Sequence, residues 1–531
     1  MWRKLATAQF LQYHLNVLSV VEIYFHTYKV TKNIHFYCWI KGKNTIFVVT
    51  SMASLKEKTS DGLFWGGMNN LTQQLIGVVF GIILARLLSQ SDYGMMAMIG
   101  IFSLVATALQ DSGFKTALAN MDHPDHRDYN SVFWFNITAG LALYAILFFC
   151  APLIARFYDN YALIPLCRYA FLSIVIASWG TAQNAWLFKN LRAKQQAKAA
   201  MTAVLLSSTV GTIMAFCRMS YWSLATQGLI YVLTYTLLVW HYSQWRPTVS
   251  GITFQPVRRM FRFSCKILAT SITTIINNNV LNILLGHYFG EHKAGVYNQA
   301  YQWDFKCFSL VQNMVNQVAQ PVLVDLRNDG GRQVNALRKM MRFTAFISFP
   351  LLFGFGLVAR EFITIAITDK WIESARLIQI LCISGAVIPL STLLSNMVIS
   401  KGKSGIYLWV TLSLGIAQIL TMVTIFSHGL YTMVVAYMLL NILWLFVWHA
   451  FVWKLTGYGV LAFLKDIIPF ALAAAGVMGS VGFATSGIAN QGLLLLSRII
   501  LAVILYYAVM KVARVQILKE CEQFIIKKIR K

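Results

Sequence analysis

LYTMVVAYMLLNILWLFVWHAFVW, residues 430–453, runs for 24 positions without a Lys, Arg, Asp or Glu, and Lys454 follows it directly. As a helix rising 1.5 Å per residue it extends about 36 Å, enough to cross the ~30 Å hydrocarbon core of a bilayer. Lipid offers no hydrogen bonds, so the segment must satisfy its own backbone, and within one segment only a helix does. A membrane β-barrel would instead show alternating stretches of ~10 residues. Comparable apolar runs recur along most of the 531 residues, of which 57% are hydrophobic and only 12% charged. A soluble domain carries about 25% charged residues. The expected fold is an all-α membrane protein with about fourteen transmembrane helices.

The expected spans are 64–85, 94–114, 131–155, 161–187, 199–217, 221–243, 264–286, 295–320, 343–367, 377–400, 405–427, 430–453, 467–487 and 492–513. Loops between them are short and leave no room for a soluble domain. Basic residues fall unevenly. In or close to connections two, four, six, eight, ten and twelve lie 20 Lys and Arg, against 8 in or close to the others. Lys and Arg accumulate on the cytoplasmic side, so both termini are expected there. Topology thus accounts for the net charge of +26, and no nucleic-acid partner is expected.

Residues 1–51 differ from the rest. Gln12, His14, Asn16, Glu22, His26 and Lys29 interrupt any spanning run there. The stretch lacks the apolar core and cleavage site of a signal peptide. The expectation is an atypical extension over 1–58, with Met52 as the natural start; an interfacial amphipathic segment is the rival reading. None of the eight cysteines forms a C-x-x-C pair, and most sit in apolar runs as small hydrophobes.

An internal duplication is legible. Arg86–Gly94 aligns with His287–Gly295, and Asn69–Gln74 with Thr270–Ile275, both at an offset of 201. Leu153–Arg156 meets Leu357–Arg360 at 204, then Asn184 and Lys189 meet Asn396 and Lys401 at 212. An offset that grows in order is what loop insertions produce. Two pseudo-symmetric six-helix lobes follow, 59–245 and 246–456, as parallel repeats. A helix pair (457–514) and a basic tail (515–531) complete the expected organisation.

Span eight carries Asn298, Gln302, Lys306, Ser309, Asn313, Asn316 and Gln320 at helical spacing, which puts them on one stripe. Such a face turns to protein or a water-filled cavity. Interhelical hydrogen bonding would explain the amides. A lysine at this depth costs roughly 3 kcal/mol, and Asp304 lies about 200° round the helix from it; a charge kept there suggests a seat for an anion. Arg168 either snorkels to the headgroups or shares the cavity. Asn277, Asn278 and Asn279 face three directions, so at least one needs a polar partner, and a locally unwound helix is one solution. Asp111 and Asp304 are the candidate groups for coupling to H+ or Na+. Asp122–Asp128 contains metal-ligand residue types, but its Pro and acids fit a helix entry better. No P-loop, dinucleotide fingerprint or nucleophile elbow is present, so neither ATP hydrolysis nor a bound cofactor is expected.

Several stretches resemble the polysaccharide transporter family of the multidrug/oligosaccharidyl-lipid/polysaccharide (MOP) flippase superfamily. Leu84-Ala-Arg-Leu-Leu-Ser-Gln-Ser-Asp-Tyr-Gly94 is similar to its LARLL-x-x-x-[DE]-[FY]-G, and Asp111-Ser-Gly-Phe-Lys-Thr-Ala-Leu118 to its D-x-G-x-x-x-AL. Ala151–Tyr158 resembles APLIA-x-FY, and Leu285–Gly290 with Gly295–Ala300 resembles LIG-x-x-LG…G-x-YN-x-A. Pro321 and Asp369-Lys-Trp371 fit the later part. The elements occur in family order over roughly 60–510, and the lipopolysaccharide, O-antigen and colanic-acid flippases are the nearest subgroup.

The resemblance implies alternating-access export of an undecaprenyl-diphosphate-linked oligosaccharide, in company with glycosyltransferases and a polysaccharide polymerase, and no enzymatic activity. Two other readings stand beside it. A multidrug antiporter or peptidoglycan-precursor flippase shares the superfamily, although a cationic cavity disfavours cationic drugs. A polysaccharide polymerase or ligase would need a larger outward loop than the one near Asp369–Arg376.

Overall fold

The computed structural model describes residues 23–30, 33–40, 47–49, 52–111, 114, 117–118, 121, 124–249 and 253–529. Ile23–Val30 pairs antiparallel with Asn33–Ile40, which pairs with Phe47–Val49. Everything described after this small sheet is helix or connection, in keeping with the all-α reading. The first lobe contains α1 (Met52–Leu87), α2 (Gln90–Asp111), α3 (His126–Phe157), α4 (Leu163–Ala170), α5 (Leu172–Ser178), α6 (Thr181–Lys189), α7 (Ala193–Phe216) and α8 (Trp222–Tyr242). The second contains α9 (Gln255–Asp325), α10 (Gly330–Ala366), α11 (Ile372–Gly385), α12 (Ile388–Ser400), α13 (Ser404–Ile425) and α14 (Leu430–Thr456). Helices α15 (Val460–Ala484), α16 (Gln491–Val512) and α17 (Gln516–Ile529) follow.

Among the described residues, twelve helices are long and apolar enough to cross a membrane, or thirteen if α4–α6 count as one span bent by 44°. The count of fourteen expected from sequence differs chiefly at α9. Its apolar stretch, Leu268–Asp325, runs 58 residues, about 87 Å of helix, far more than one bilayer. Gly290 breaks it with φ 76°, a left-handed backbone that glycine adopts at little cost. The two arms flanking Gly290 correspond to expected spans seven and eight.

Asp125 caps α3 as expected from its Pro-and-acid entry. Its side chain accepts from the Asp128 backbone N–H at 2.9 Å, and the Asp128 carboxylate accepts from the Asp125 N–H at 3.0 Å. This reciprocal box satisfies two otherwise orphaned donors. Asp122 and His123 lie outside the described residues.

The lobes meet at one end of the bundle. Trp371, fully buried, donates its indole N–H to the Ala85 carbonyl at 2.8 Å. Lys370 Nζ donates to the Arg86 and Leu88 carbonyls at 2.8 and 2.7 Å, and Arg86 donates back to the Ile365 and Ala366 carbonyls. Here α2 passes so close to α9 that a Cβ on Gly94 would stand 1.7 Å from the Glu291 carbonyl oxygen, and one on Gly295 1.8 Å from that of Gln90. Only glycine permits that approach.

The C-terminal helices dock on α10 through ion pairs. Arg338 grips Asp466 with Nε at 2.8 Å, Arg342 approaches it at 3.5 Å, and Tyr458 donates to it at 2.8 Å. Arg498 pairs with the buried Glu361 at 2.8 Å.

Candidate functional site: a cavity between the lobes

A cavity of about 1090 Å³ lies between the lobes, beside their contact. Its first-lobe wall comes from α1, α2, α7 and α8, with Tyr93, Ser208 and Gln227 among the lining residues. The facing wall is α9, which presents Asn279, Asn298, Gln302 and Lys306. Of the seven stripe residues expected from the sequence, Asn298, Gln302 and Lys306 line this cavity. Gln302 donates to Asn298 at 2.7 Å along the helix. Gln74 on α1 reaches across to Ser309 at 3.4 Å.

Lys306 Nζ lies 4.6 Å from the centroid of the Trp303 ring. Among the described residues no carboxylate lies within 4.0 Å of it. Asp304, two residues away, turns into the second lobe instead. It is 2% exposed, takes a hydrogen bond from Cys382, and keeps Oδ1 without a partner among the described residues. That oxygen is 2.5 Å from where a Gly385 Cβ would stand, so the glycine makes room for the carboxylate. Lys306 is thus a cation beside an aromatic ring, facing open space and without a counter-charge in the described residues. Electrostatic attraction in such a low-dielectric site is many times stronger than in water.

The remaining candidates divide. Asn313, Asn316 and Gln320 continue along α9 towards the end away from the lobe contact, all exposed; Asn316 accepts from Asn396 at 3.3 Å. Asn277 and Asn278 line a separate cavity within the second lobe. The helix is continuous through them, so the unwinding considered from the sequence is absent there, and the break comes at Gly290. Asn277 finds its partner in the Thr411 carbonyl at 2.7 Å. The structure does not bring Arg168 to the Lys306 cavity: its guanidinium stacks 4.2 Å from the Phe148 ring and its Nε is buried without a partner among the described residues. Asp111 ends α2, and its side chain lies outside the described residues, as does Lys115. Gln227 and Ser208 were missed because neither helix carries a charge at mid-span to single out one of its scattered polar residues.

The model of the family described as "polysaccharide biosynthesis protein" matches residues 83–376, more than half of the chain. The chain belongs to that family. It is a polysaccharide flippase of the MOP superfamily, a multi-pass membrane protein, and the match spans the lobe contact and the whole Lys306 stripe. The chain is similar to the teichuronic acid biosynthesis protein TuaB of Bacillus subtilis, 24% identical over 82% of this chain and 90% of that one. The lipopolysaccharide biosynthesis protein WzxC of Escherichia coli is 24% identical over 66% and 71%. The succinoglycan biosynthesis transport protein ExoT of Rhizobium meliloti is 23% identical over 73% and 76%. In fold, the chain is similar to the lipid II flippase MurJ in an inward closed conformation. Their TM-score is 0.67 at 12% identity, over 84% of this chain and 97% of that one.

Proposed function

We propose that this flippase moves a lipid-diphosphate-linked oligosaccharide, built for lipopolysaccharide, O-antigen or capsule, across the bacterial inner membrane by alternating access. The observation that carries this reading is Lys306, a cation without a carboxylate partner among the described residues, in a cavity otherwise lined by amides, hydroxyls and apolar side chains. A diphosphate meets such a cation in charge-assisted hydrogen bonds. An apolar groove of about 1220 Å³ between α10 and α16 reaches Cys307, the next residue along α9, and suits a polyprenyl chain. Charge bias assigns the lobe contact to the outer face and both termini to the cytoplasm. The cavity then faces inward, where lipid-linked sugars are assembled by glycosyltransferases, and a polymerase would take the cargo outside. Asp304, buried with an oxygen that has no partner among the described residues, is the preferred group for coupling to a H+ or Na+ gradient.

The test is complementation of a deletion strain with Lys306→Ala, reading surface glycan. Losing a hydrogen bond to a charged group predicts a fall of about 10- to 100-fold, and Lys306→Arg should retain more than Lys306→Ala. Undiminished glycan at normal protein levels overturns the assignment. Drug resistance conferred by the wild type, without any effect on glycan, would transfer the chain to the antiporters.

A further inference from the structure

The contact between the lobes is reciprocal. Gly94 and Gly295 stand 201 residues apart in the sequence, as do Gln90 and Glu291, and Arg86 and His287. A Cβ on Gly94 would meet the Glu291 carbonyl oxygen, and one on Gly295 the Gln90 carbonyl oxygen. The residue that faces Gly94 is thus the counterpart of the residue that faces Gly295. That is the pattern of an isologous interface, made here within one chain by its two repeats. Side chains repeat it. Arg86, at the end of α1, donates to the Ile365 and Ala366 carbonyls at 2.7 and 2.6 Å, the last two carbonyls of α10. His287, its counterpart on the first arm of α9, binds the Phe157 carbonyl through Nδ1 at 2.6 Å. A carbonyl only accepts, so Nδ1 carries the hydrogen. Phe157 is the last residue of α3, the helix whose Leu153–Arg156 aligns with Leu357–Arg360 of α10. A helix leaves its last four carbonyls without partners of its own, and each of these two side chains crosses between lobes to satisfy them.

The halves differ in chemistry. Arg86 is always charged, and Lys370 and Trp371 reinforce its half. His287 is exposed, and histidine is the side chain that changes charge in the physiological range. The dipole of α3 favours a cation at its C-terminus, and an imidazolium makes a stronger hydrogen bond than an imidazole. The ring also stacks on Phe157, with centroids 4.3 Å apart and planes 15° from parallel, and an aromatic face attracts a cation. The charged and titratable residues on the elements meeting at this corner are Arg156 and Asp159 around the end of α3, Glu291 and His292 on α9, Asp92 on α2, and His428 beyond the Phe426 ring that stacks on Tyr288. Ser89 and Ser220 take up the Asp92 carboxylate. Asp159 and Glu291 offset Arg156, and among the described residues no carboxylate lies within 4.0 Å of the His287 ring nitrogens. The last carbonyl of α3 therefore decides how closure responds to a proton on His287.

We infer that the lobe contact is a two-fold latch of side-chain donors on helix C-termini, and that His287 makes one half of it a pH sensor, so that acid at this face tightens closure. Assigning that face to the outside rests on the function proposed above; the latch itself does not. On that assignment, an acidified medium slows the opening through which cargo leaves. The experiment is hydrogen-exchange mass spectrometry on the full chain in nanodiscs, at about pH 5.5 and about pH 8, with rates corrected for the intrinsic pH dependence of exchange. Both faces meet one buffer, so no gradient acts, and an error in the orientation leaves the result unchanged. Protection over 85–95, 155–159, 287–296 and 365–371 should be about 2- to 5-fold higher in acid. His287→Gln keeps a donor but takes up no proton, and should show equal protection at both pH values. His287→Arg, which copies Arg86, should show the acid value at both.

A wild type with no pH difference, or with higher protection at the alkaline value, would overturn the inference. So would a folded His287→Gln that keeps the wild-type difference, which would move the titrating group elsewhere. If the glutamine variant fails to fold, the arginine variant decides, because a pH difference persisting there sinks the role of His287 equally. The Lys306→Ala result bears on the cargo and on neither half of the latch, so the two readings fail separately.

Discussion

Gly94→Ala should weaken closure of the lobes at their contact. The new Cβ would stand 1.7 Å from the Glu291 carbonyl oxygen and 2.5 Å from its carbon. Both are backbone atoms, so no rotamer change relieves the clash. Restoring ordinary contact requires α2 and the second arm of α9 to part by about 1.5 Å. That separation strains the neighbouring bonds from Trp371 to Ala85 and from Lys370 to Arg86 and Leu88, now 2.7–2.8 Å long. Alanine also favours helix by about 1 kcal/mol, but this gain is the same with the lobes together or apart and cancels in their equilibrium. Overpacking of about 1–3 kcal/mol then falls on the closed arrangement, shifting the population about 5- to 150-fold towards the open one. Hydrogen-exchange mass spectrometry in nanodiscs reads the shift as lost protection over 85–95, 287–296 and 365–371. Gly228→Ala, whose Cβ would meet nothing within 4 Å, should leave protection there unchanged. Surface glycan should fall in Gly94→Ala, because a transporter held open at one end cannot complete its cycle. Unchanged protection together with unchanged glycan would refute the close approach.

Asp466→Asn removes the carboxylate that Arg338, Arg342 and Tyr458 share. With the arginines 35–39% exposed and the aspartate 5% exposed, the loss should be about 2 kcal/mol, seen as a lower unfolding temperature in detergent. Equal stability of variant and wild type would show that α15 does not depend on this cluster. Asp125→Ala should cost about 1 kcal/mol by uncapping α3. The Asp128 backbone N–H, then its side chain and the nearby Arg127, hold the Asp125 carboxyl below the usual carboxylate range. Its stabilisation is therefore fully present above that range and lost as pH falls through the lowered value. Between pH 7 and pH 3 the melting temperature should drop less in the variant, and equal drops would contradict the cap.

The membrane class and the stripe were legible because both are periodic properties of sequence. Asn298, Gln302 and Lys306 recur at the helical spacing, and their common face survives whatever the helix packs against. The span count was less legible at two places. Trp179-Gly180 bends α4–α6 without a proline to announce it, and Gly290 continues an apolar stretch while reversing the sign of φ. Arg168 shows the opposite limit. Its charge is plain in the sequence, but only packing places it on Phe148 rather than beside Lys306.

The placement of Lys306 along α9 bears on alternating access. Gly295, at the lobe contact, and Lys306 are eleven residues apart, about 16 Å of helix and near half of the ~30 Å hydrocarbon core. Gln320 lies about 21 Å beyond Lys306 in the other direction. A cation nearer the closed end would be hard for cargo to reach from the open one, and a cation nearer the mouth would be lost to water and screening. At this depth the same ammonium can be reached from either face by opening one end, without moving along its own helix. The lobe contact straddles the Gly290 break: Gly286 packs on Met98 and Tyr158 before it, and Glu291 and Gly295 meet Gly94 and Gln90 after it, so the arm that carries Lys306 also takes part in closing that end. Parting Gly94 from Glu291 would therefore expose Lys306 to the far side directly, which links the Gly94→Ala and Lys306→Ala experiments through a single moving helix.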